Sequence, residues 1–330
     1  MIPFSSIRNK RIAYACLNWG LGHVTRSLDI VSELQANGND VLVCGTERQI
    51  QLFKSYFPEL NTYTINTEEF VFKGDHNFIF EGFRNYWRIK RVYSHVRKEV
   101  QKIDNFFQAD FYISDHFYPF YHPKKQNIFV THQYRLPEQT PCVISFVHRK
   151  WLKNFQAIWL VDDDLLRLAG SLSFKEGNAT YIGIRSRFNV IKSIEISSQS
   201  HDGKSMVCVL SGPETYARHF LNLLLQFNVS EVILISPFDL DESEEKMFKK
   251  VIRNTSEADQ ALLYADLIIA RSGYSTLMDI VALKKKESIL LPTKGQFEQE
   301  YLAKIHRDFL GISSDEHEFC SKLSTYLTKI

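Results

Sequence analysis

Short apolar runs alternate with stretches of helical periodicity along almost the whole chain. The run RIAYACL is followed by a glycine-containing turn and an amphipathic stretch from about His23 to Ala36, which predicts a strand and then a helix. Further strands are predicted at DVLVCG, TYTIN (62–66), DFYIS (110–114), NIFVT (127–131) and AIWLV (157–161). Strands that alternate with helices in this way predict a parallel sheet with helices on both faces.

The alternation breaks between Leu165 and about Ser205, where Gly, Ser and Asn are frequent and one short strand, YIGI (181–184), is predicted. It restarts with the predicted strands MVCVLSG (206–212), SEVILIS (230–236), DLIIAR (266–271) and ESILLP (287–292). We interpret the break as the connection between two Rossmann-like α/β domains, residues 1–185 and 186–305. A helical tail over 306–330 completes the prediction.

Composition narrows the class of protein. Hydrophobic residues make up 44% of the 330 residues and charged residues 24%, which is typical of a globular protein. The net charge of +2 is too small to indicate binding to nucleic acid through bulk electrostatics. The five scattered cysteines predict reduced thiols and a cytoplasmic location, and no Cys/His spacing is typical of a zinc site. Neither a secretory signal nor an apolar run long enough for a membrane span is expected.

The first motif with candidate chemistry is Gly20-Leu21-Gly22-His23, at the turn between the first strand and the first helix. Glycines there allow close approach to a ligand, and the positive end of the helix favours a neutral His23 that can accept a proton. Arg26, one turn later, is a candidate for binding an anion. The alternatives are a histidine that only packs in the turn and an arginine on a solvated face. Because the G-x-G-x-x-G spacing is incomplete, a nicotinamide site is disfavoured.

A second strand, turn and helix occurs in ARSGYSTLMDIVAL (270–283). Ser272 and Gly273 end a strand, and Ser275 and Thr276 stand where a helix begins, so hydroxyls and free N–H groups suitable for a diphosphate meet there. Asp279, one helical turn after Ser275, can accept both hydroxyls of a ribose. The alternative is an ordinary capped helix with a solvated aspartate.

Together the two motifs resemble those of the GT-B glycosyltransferases. Within that fold they are most similar to the family 28-like branch, which contains the N-acetylglucosaminyltransferase of lipid-linked peptidoglycan precursor synthesis. The resemblance implies two domains that face each other across a cleft, with the last helix crossing back to the first domain. It also implies a metal-independent, inverting transfer from a nucleotide-diphosphate sugar, a UDP-sugar, without another cofactor. The acceptor would be a glycan, a lipid-linked molecule or a small molecule, in cell-envelope glycan synthesis.

The same resemblance assigns roles to individual positions. His23 matches the base that activates the acceptor hydroxyl. The residues expected to bind the nucleotide and its phosphates are Gly20, Gly22, Ser211, Gly212, Ser272, Gly273, Ser275, Thr276 and Asp279. The residues expected to contact the donor sugar are Glu298, Gln299 and Glu300, where a glutamate stands in place of the second of the family's paired glutamines. Candidate acceptor contacts, three of which follow predicted strands, are Arg26, Asp115, His116 and His132.

Other activities remain open at this point. Gly22-His23 followed by Arg26 and Leu28 also resembles nucleotide-sugar hydrolases of nonulosonic-acid pathways, which share the fold and use water as the acceptor. A catalytically inactive protein that binds nucleotide sugars is a further alternative, and an epimerase is another. A fold alone does not decide among these reactions.

Two further features have more than one interpretation. Asp162-Asp163-Asp164 satisfies a D-x-D metal-binding pattern, but a turn or a helix cap explains it better at this place in the chain. The segment 83–102 holds seven Lys or Arg residues against one Glu, with aromatic residues between them. It could contact anionic lipid at the inner face of the membrane, although a charged face above a buried aromatic stripe is the preferred interpretation.

Overall fold

The protein is described by a computed structural model that covers residues 2–18, 22–67, 86–191, 205–285 and 287–328. The described residues divide into two compact units, one ending at Ile191 and one beginning at Ser205. Each unit is built on one parallel β-sheet with helices between its strands. The predicted α/β class is therefore confirmed.

The first unit contains a seven-stranded sheet in the order β3-β2-β1-β4-β5-β6-β7. Its strands are β1 (Arg11–Cys16), β2 (Asp40–Gly45), β3 (Asn61–Thr64), β4 (Phe111–Asp115), β5 (Gln126–Thr131), β6 (Ala157–Leu160) and β7 (Ala179–Tyr181). Its helices are α1 (Gly22–Ala36), α2 (Glu47–Tyr56), α3 (Tyr86–Phe107), α4 (Cys142–Leu152) and α5 (Arg187–Ile191). Five consecutive residues are buried in both β1 and β2, as expected for strands covered on both faces.

Helix α3 contains most of the basic segment 83–102 and packs one of its faces against the first sheet. Val92, Val96, Val100 and Ile103 recur at helical spacing and pack in the core on one face of the first sheet. Trp87, in contrast, is 69% exposed. The buried stripe over 92–103 is therefore aliphatic and not aromatic, whereas Phe107 at the end of α3 joins the same core. Residues 83–85 lie outside the described residues. No helix among the described residues is both long and apolar enough to cross a membrane.

The second unit contains a five-stranded sheet in the order β10-β9-β8-β11-β12. Its strands are β8 (Met206–Val209), β9 (Val232–Ile235), β10 (Lys250–Ile252), β11 (Leu267–Arg271) and β12 (Glu287–Leu291). Its helices are α6 (Glu214–Leu224), α7 (Glu242–Glu245), α8 (Thr255–Tyr264), α9 (Tyr274–Leu283), α10 (Phe297–His306) and α11 (Glu316–Leu327). The last helix, α11, packs its buried Phe319 and Leu323 in the core of the second sheet.

One expectation about a connection was wrong. The stretch that begins at Leu165 was expected to link the domains, but its first part adds β7 to the first sheet. Helix α5, which follows β7, also contacts the first unit, since Asn189 donates a hydrogen bond of 2.8 Å to Asp29 in α1.

Each sheet has one place where neighbouring strands continue in opposite directions along the sheet. In the first sheet this switch point lies between β1 and β4, and in the second between β8 and β11. The loops that leave the carboxyl ends of such strands part there and open a crevice, where ligands of open α/β sheets bind. Several candidate residues end or follow strands at these two edges, among them Asp115, which ends β4, and Ser272, which follows β11.

Candidate functional site

Side chains from one helix and from the ends of two adjacent strands converge at the switch point of the first sheet. His23 lies in the first turn of α1, Asp115 ends β4 and His132 follows β5. The strand register pairs Cys16 with Asp115, which brings the ends of β1 and β4 to the same level. The expected cluster of His23, Arg26, Asp115, His116 and His132 is thus brought together. Gly22 begins α1, whereas Gly20 lies outside the described residues.

Arg26 occupies the centre of this cluster and is only 2% exposed. Its Nε donates to Oδ2 of Asp115 at 2.7 Å, and its Nη2 also contacts Oδ1 of that carboxylate. Its Nη1 donates to Nδ1 of His132 at 2.9 Å. The sequence offered either an anion-binding or a solvated arginine. The structure shows an internal ion pair that organises the site.

His23 has one nitrogen held in the cluster and one available for chemistry. Its Nδ1 lies 3.0 Å from Oδ1 of Asp115 and 2.8 Å from Nη2 of Arg26. The two neighbours of Nδ1 favour opposite tautomers, because the Asp115 carboxylate can only accept and the Arg26 guanidinium can only donate. Since Nη2 of Arg26 already has Oδ1 of Asp115 as its acceptor, we assign the proton to Nδ1 and let it donate to Asp115. Nε2 is then unprotonated and makes no hydrogen bond within the described part of the chain, while the ring is 17% exposed. This arrangement can accept a proton from a bound molecule.

The electrostatics support this protonation state. Burial, followed by the adjacent Arg26 cation, lowers the pKa of His23, so the imidazole is neutral near pH 7. Burial by itself would raise the pKa of Asp115, but the Arg26 guanidinium outweighs burial and holds this pKa far below its usual range. The cluster therefore combines an ionised carboxylate, a fixed cation and a neutral base.

Seven of the nine expected nucleotide-binding residues lie in the second unit, near the carboxyl edge of its sheet, whereas Gly22 lies in the first unit. Ser211 and Gly212 follow β8, and Ser272 and Gly273 follow β11, its neighbour in the sheet. Gly212 has φ +85°, with open space where a side chain would begin. Ser272 is fully buried, and its Oγ has no hydrogen-bond partner among the described residues. An unpaired hydroxyl at a helix N-terminus is a feature that a bound phosphate would satisfy.

Helix α9 carries the remaining members of this group. Gly273 is its N-cap, and Ser275, Thr276 and Asp279 are partly exposed on it. Ser275 and Asp279 are one turn apart, so their side chains share one helical face.

The expected sugar contacts have two different environments. Gln299 accepts a hydrogen bond of 2.8 Å from the Thr293 N–H, and its amide nitrogen lies 3.9 Å from the point where a Gly273 Cβ would stand. Glu300 accepts a hydrogen bond of 2.8 Å from the Gly295 N–H and so closes its own turn. Glu298 is partly exposed in the first turn of α10. Gln299 is therefore the member of the group that reaches the glycine turn.

Sequence reasoning missed Arg271, the last residue of β11. It is 4% exposed, its guanidinium lies 4.8 Å from the Phe220 ring, and Nη1 donates to the Pro292 carbonyl at 3.1 Å. Burial lowers its pKa to about 10, and its Nε has no hydrogen-bond partner within the described ranges. The signal was available, since a charged residue ends the otherwise apolar run DLIIAR. Arg271 places positive charge directly before the Ser272-Gly273 turn.

The D-x-D pattern has a structural role at Asp162. This side chain is fully buried and accepts hydrogen bonds from the N–H groups of Leu168 at 2.8 Å and Ala169 at 2.9 Å. Asp162 therefore caps the following turn. Across the described ranges, no group of three His, Cys, Asp or Glu side chains is arranged to hold a metal ion.

No family model matches this chain, and no curated protein sequence matches it either. Solved structures do match it. MurG of Acinetobacter baumannii aligns over 97% of this chain and 90% of its own, with a TM-score of 0.56 and 13% identity. The glycosyltransferase of kitacinnamycin aligns over 98% and 90%, with a TM-score of 0.61 and 12% identity. The chain has the GT-B fold.

GT-B proteins similar to this chain do not all perform one reaction. The UDP-GlcNAc 2-epimerase of Neisseria meningitidis, solved with UDP-GlcNAc, aligns over 97% of this chain and 91% of its own, with a TM-score of 0.63 and 10% identity. Identities this low establish the fold alone. The choice of reaction must therefore come from the chemistry of the site.

Proposed function

We propose that this protein is a glycosyltransferase that moves a sugar from a nucleotide-diphosphate sugar, a UDP-sugar, to a hydroxyl of an acceptor with inversion. The observation that carries the proposal is the available Nε2 of a neutral His23, whose other nitrogen is held by a buried carboxylate at the switch point of the first sheet. A general base next to a ligand crevice is what the activation of a hydroxyl requires.

In this proposal His23 Nε2 takes the proton of the acceptor hydroxyl while the hydroxyl oxygen attacks the anomeric carbon. The bond to the leaving diphosphate breaks on the opposite face, so the anomeric configuration inverts. Asp115 stabilises the imidazolium that forms, and Arg26 keeps Asp115 ionised. General-base catalysis of this kind contributes about 10²- to 10⁴-fold to the rate.

The donor is assigned to the second unit. The N–H groups at the start of α9, the Arg271 cation and the Ser272 hydroxyl, which has no partner among the described residues, would meet the charge that develops on the diphosphate. Because this positive charge comes from the protein, the proposed reaction does not depend on a metal. Asp279 would bind the ribose, and Gln299, with Glu298 and Glu300 near it, would contact the sugar.

The proposal also includes where in the cell the protein would act. A lipid-linked acceptor would suit a cytoplasmic protein that touches the inner face of the membrane through the basic outer face of α3. On that helix Lys90 lies 5.4 Å from the ring of the exposed Trp87, so charge and an aromatic side chain are presented together.

The test is a turnover assay of the full chain with UDP-, dTDP- and GDP-sugars and a panel of p-nitrophenyl glycosides as acceptors. Wild type should form a glycosylated product, and His23→Gln should lower kcat by about 10²- to 10⁴-fold while nucleotide binding is kept. His219→Gln is the matched control, because this exposed histidine lies in the second unit beside Glu316.

The other reactions give different results in the same assay. Nucleotide release at the full rate without any acceptor would identify a hydrolase. Conversion of the donor without nucleotide release would identify an epimerase. Binding without turnover for every donor would identify an inactive binding protein and refute the proposal.

A further inference from the structure

His116 has an uncommon backbone for a residue with a side chain. It follows the last residue of β4 with φ +54°, in the left-handed region, and its N–H donates to the Val130 carbonyl at 3.1 Å. Residues held in this region often lie at functional positions, because the surrounding structure has to maintain them there.

The backbone at His116 sets its ring beside the proposed base. The ring centroid of His116 lies 5.4 Å from that of His23 and 5.3 Å from that of His132. Phe129 packs near the same ring, with a centroid distance of 5.7 Å. The imidazole is therefore fixed among three other rings, close enough to His23 for one small ligand to contact both.

A buried hydroxyl fixes the protonation of this ring. Oγ1 of the fully buried Thr131 accepts a hydrogen bond of 2.8 Å from the Gln133 N–H and lies 2.5 Å from Nε2 of His116. The hydroxyl proton of Thr131 needs an acceptor, and the lone pair on Nε2 provides it. The proton of the neutral ring is then on Nδ1, which makes no hydrogen bond to any described residue.

The charge of the ring follows from its surroundings. Burial, followed by the neighbouring His132, His23 and Arg26, lowers the pKa of His116 well below its ordinary value. Asp115 acts in the opposite direction but more weakly. Near pH 7 the ring is therefore a neutral donor and not a second base.

We infer that His116 is a specificity-determining residue whose Nδ1–H donates to a second oxygen of the acceptor, next to the hydroxyl that His23 deprotonates. An acceptor that satisfies both rings carries two adjacent oxygens, as in the vicinal diol of a sugar. Thr131 is a positioning residue, since it acts only through the tautomer of His116. This inference rests on the proposed glycosyltransferase function.

The tautomer can be measured without turnover. Long-range ¹H–¹⁵N NMR spectra of the ¹⁵N-labelled full chain should show His116 protonated on Nδ1 and unprotonated on Nε2 at pH 7. Thr131→Val removes the hydroxyl and should change this signature, whereas Thr131→Ser should preserve it. A wild-type ring that is protonated on Nε2, or charged at pH 7, would overturn the inference even if no donor is turned over.

Kinetics test the contact itself, with p-nitrophenyl glycosides as vicinal-diol acceptors and 4-nitrobenzyl alcohol as an acceptor with one hydroxyl. His116→Asn places an amide N–H near the position of Nδ1 and tolerates the left-handed backbone, so its acceptor KM should stay close to wild type. His116→Gln places the amide near Nε2 and should raise this KM about 3- to 10-fold, with a smaller effect on kcat.

The outcomes separate the two proposals. Two results would contradict the role of His116 but leave the proposed transferase function intact. One is a wild type that transfers sugar while both variants keep the wild-type acceptor KM. The other is a wild type that uses the monohydric alcohol as well as the vicinal diols. If wild type transfers to no acceptor, the transferase is wrong, and the tautomer measurement then decides whether His116 is a fixed donor.

Discussion

Arg26 carries a full positive charge inside the first unit, where its side chain is only 2% exposed. A buried cation is tolerated when it is paired and its N–H groups are used, and here Asp115 and His132 receive them. The pair is therefore needed for the fold as well as for the orientation of His23. Removal of one partner leaves the other charge buried without compensation.

This predicts that Asp115→Asn destabilises the first unit by about 3–5 kcal/mol, the usual cost of breaking a buried ion pair. Urea unfolding followed by circular dichroism measures it. The control is Asp110→Asn, because Asp110 is exposed and accepts one hydrogen bond of 2.9 Å from the Arg11 N–H. The control should cost no more than about 1 kcal/mol. Equal losses for the two variants would contradict a buried pair at Asp115.

The depressed pKa of His23 predicts the acid limb of the pH–rate profile. The unprotonated ring is the active form, so kcat/KM should fall as the pH falls through this pKa. Because burial and Arg26 lower the pKa from its ordinary value of 6.5, the midpoint should lie below pH 6.5. An initial-rate series from pH 4.5 to 8 with the donor varied measures it, and His219→Gln should leave the midpoint unchanged. A midpoint at or above 6.5 would contradict the assignment.

Among the secondary-structure elements, the strands that are buried on both faces were the easiest to predict from the sequence. Strands such as β1 and β11 are covered on both faces, so their sequences are continuous apolar runs that locate them without tertiary information. The three-residue edge strands β7 and β10 were harder to predict, because each pairs with one neighbouring strand and has no long apolar run of its own. No strand was predicted at β10. The region of β7 was assigned to the connection between domains, because the residues around it are rich in Gly and Asn.

The site was predictable as a set of residues but not as a set of contacts. Parallel topology indicated that His23, Asp115 and His132 would share one edge. The ion pair of Arg26 with Asp115 joins positions 89 residues apart, and the bond to His132 joins positions 106 apart. Such pairs follow from strand order and rotamers, which local periodicity does not contain.

The cap at Asp162 provides a prediction about a loop element. Asp162→Ala would leave the N–H groups of Leu168 and Ala169 without their acceptor, so we expect a loss of at least about 2 kcal/mol in the free energy of unfolding. Asp164→Ala is the matched control, since this side chain is 71% exposed and should change stability by less than about 0.5 kcal/mol. Urea titrations with and without Mn²⁺ measure both. A stabilisation by Mn²⁺ that both variants abolish would instead favour a metal at this turn.

At the scale of the whole molecule, the net charge is only +2, but basic residues are concentrated in the segment 83–102. Arg88, Lys90 and Arg91 lie together on α3, beside the exposed Trp87. If this face meets anionic lipid, the full chain should sediment with vesicles that contain phosphatidylglycerol, and less so as salt rises. Replacement of these three residues by Glu should abolish sedimentation, since each basic residue contributes about 1 kcal/mol.

The control for the lipid experiment is a second set of three charge reversals. Lys246, Lys249 and Lys250 are exposed in the second unit, away from α3 in the chain, and their replacement by Glu changes the net charge equally. This control should sediment like wild type. A wild type that stays in solution at low salt, or a control that is lost equally, would contradict a specific lipid-binding face.

The last prediction follows from the division into two compact units and from the proposed assignment of the donor to the second of them. If the second unit holds the donor, one of UDP, GDP, CDP and dTDP at about 100 times its Kd should stabilise the protein by about 2.7 kcal/mol, visible as a thermal shift. Hydrogen exchange should slow in β11 and α9 of that unit, while β1 and α1 of the first unit should exchange as before. Asp279→Ala should remove the shift, and Asp308→Ala, a substitution of an exposed aspartate in the same unit, should keep it. Protection in the first unit alone would place the nucleotide beside His23 and reverse the proposed assignment of donor and acceptor.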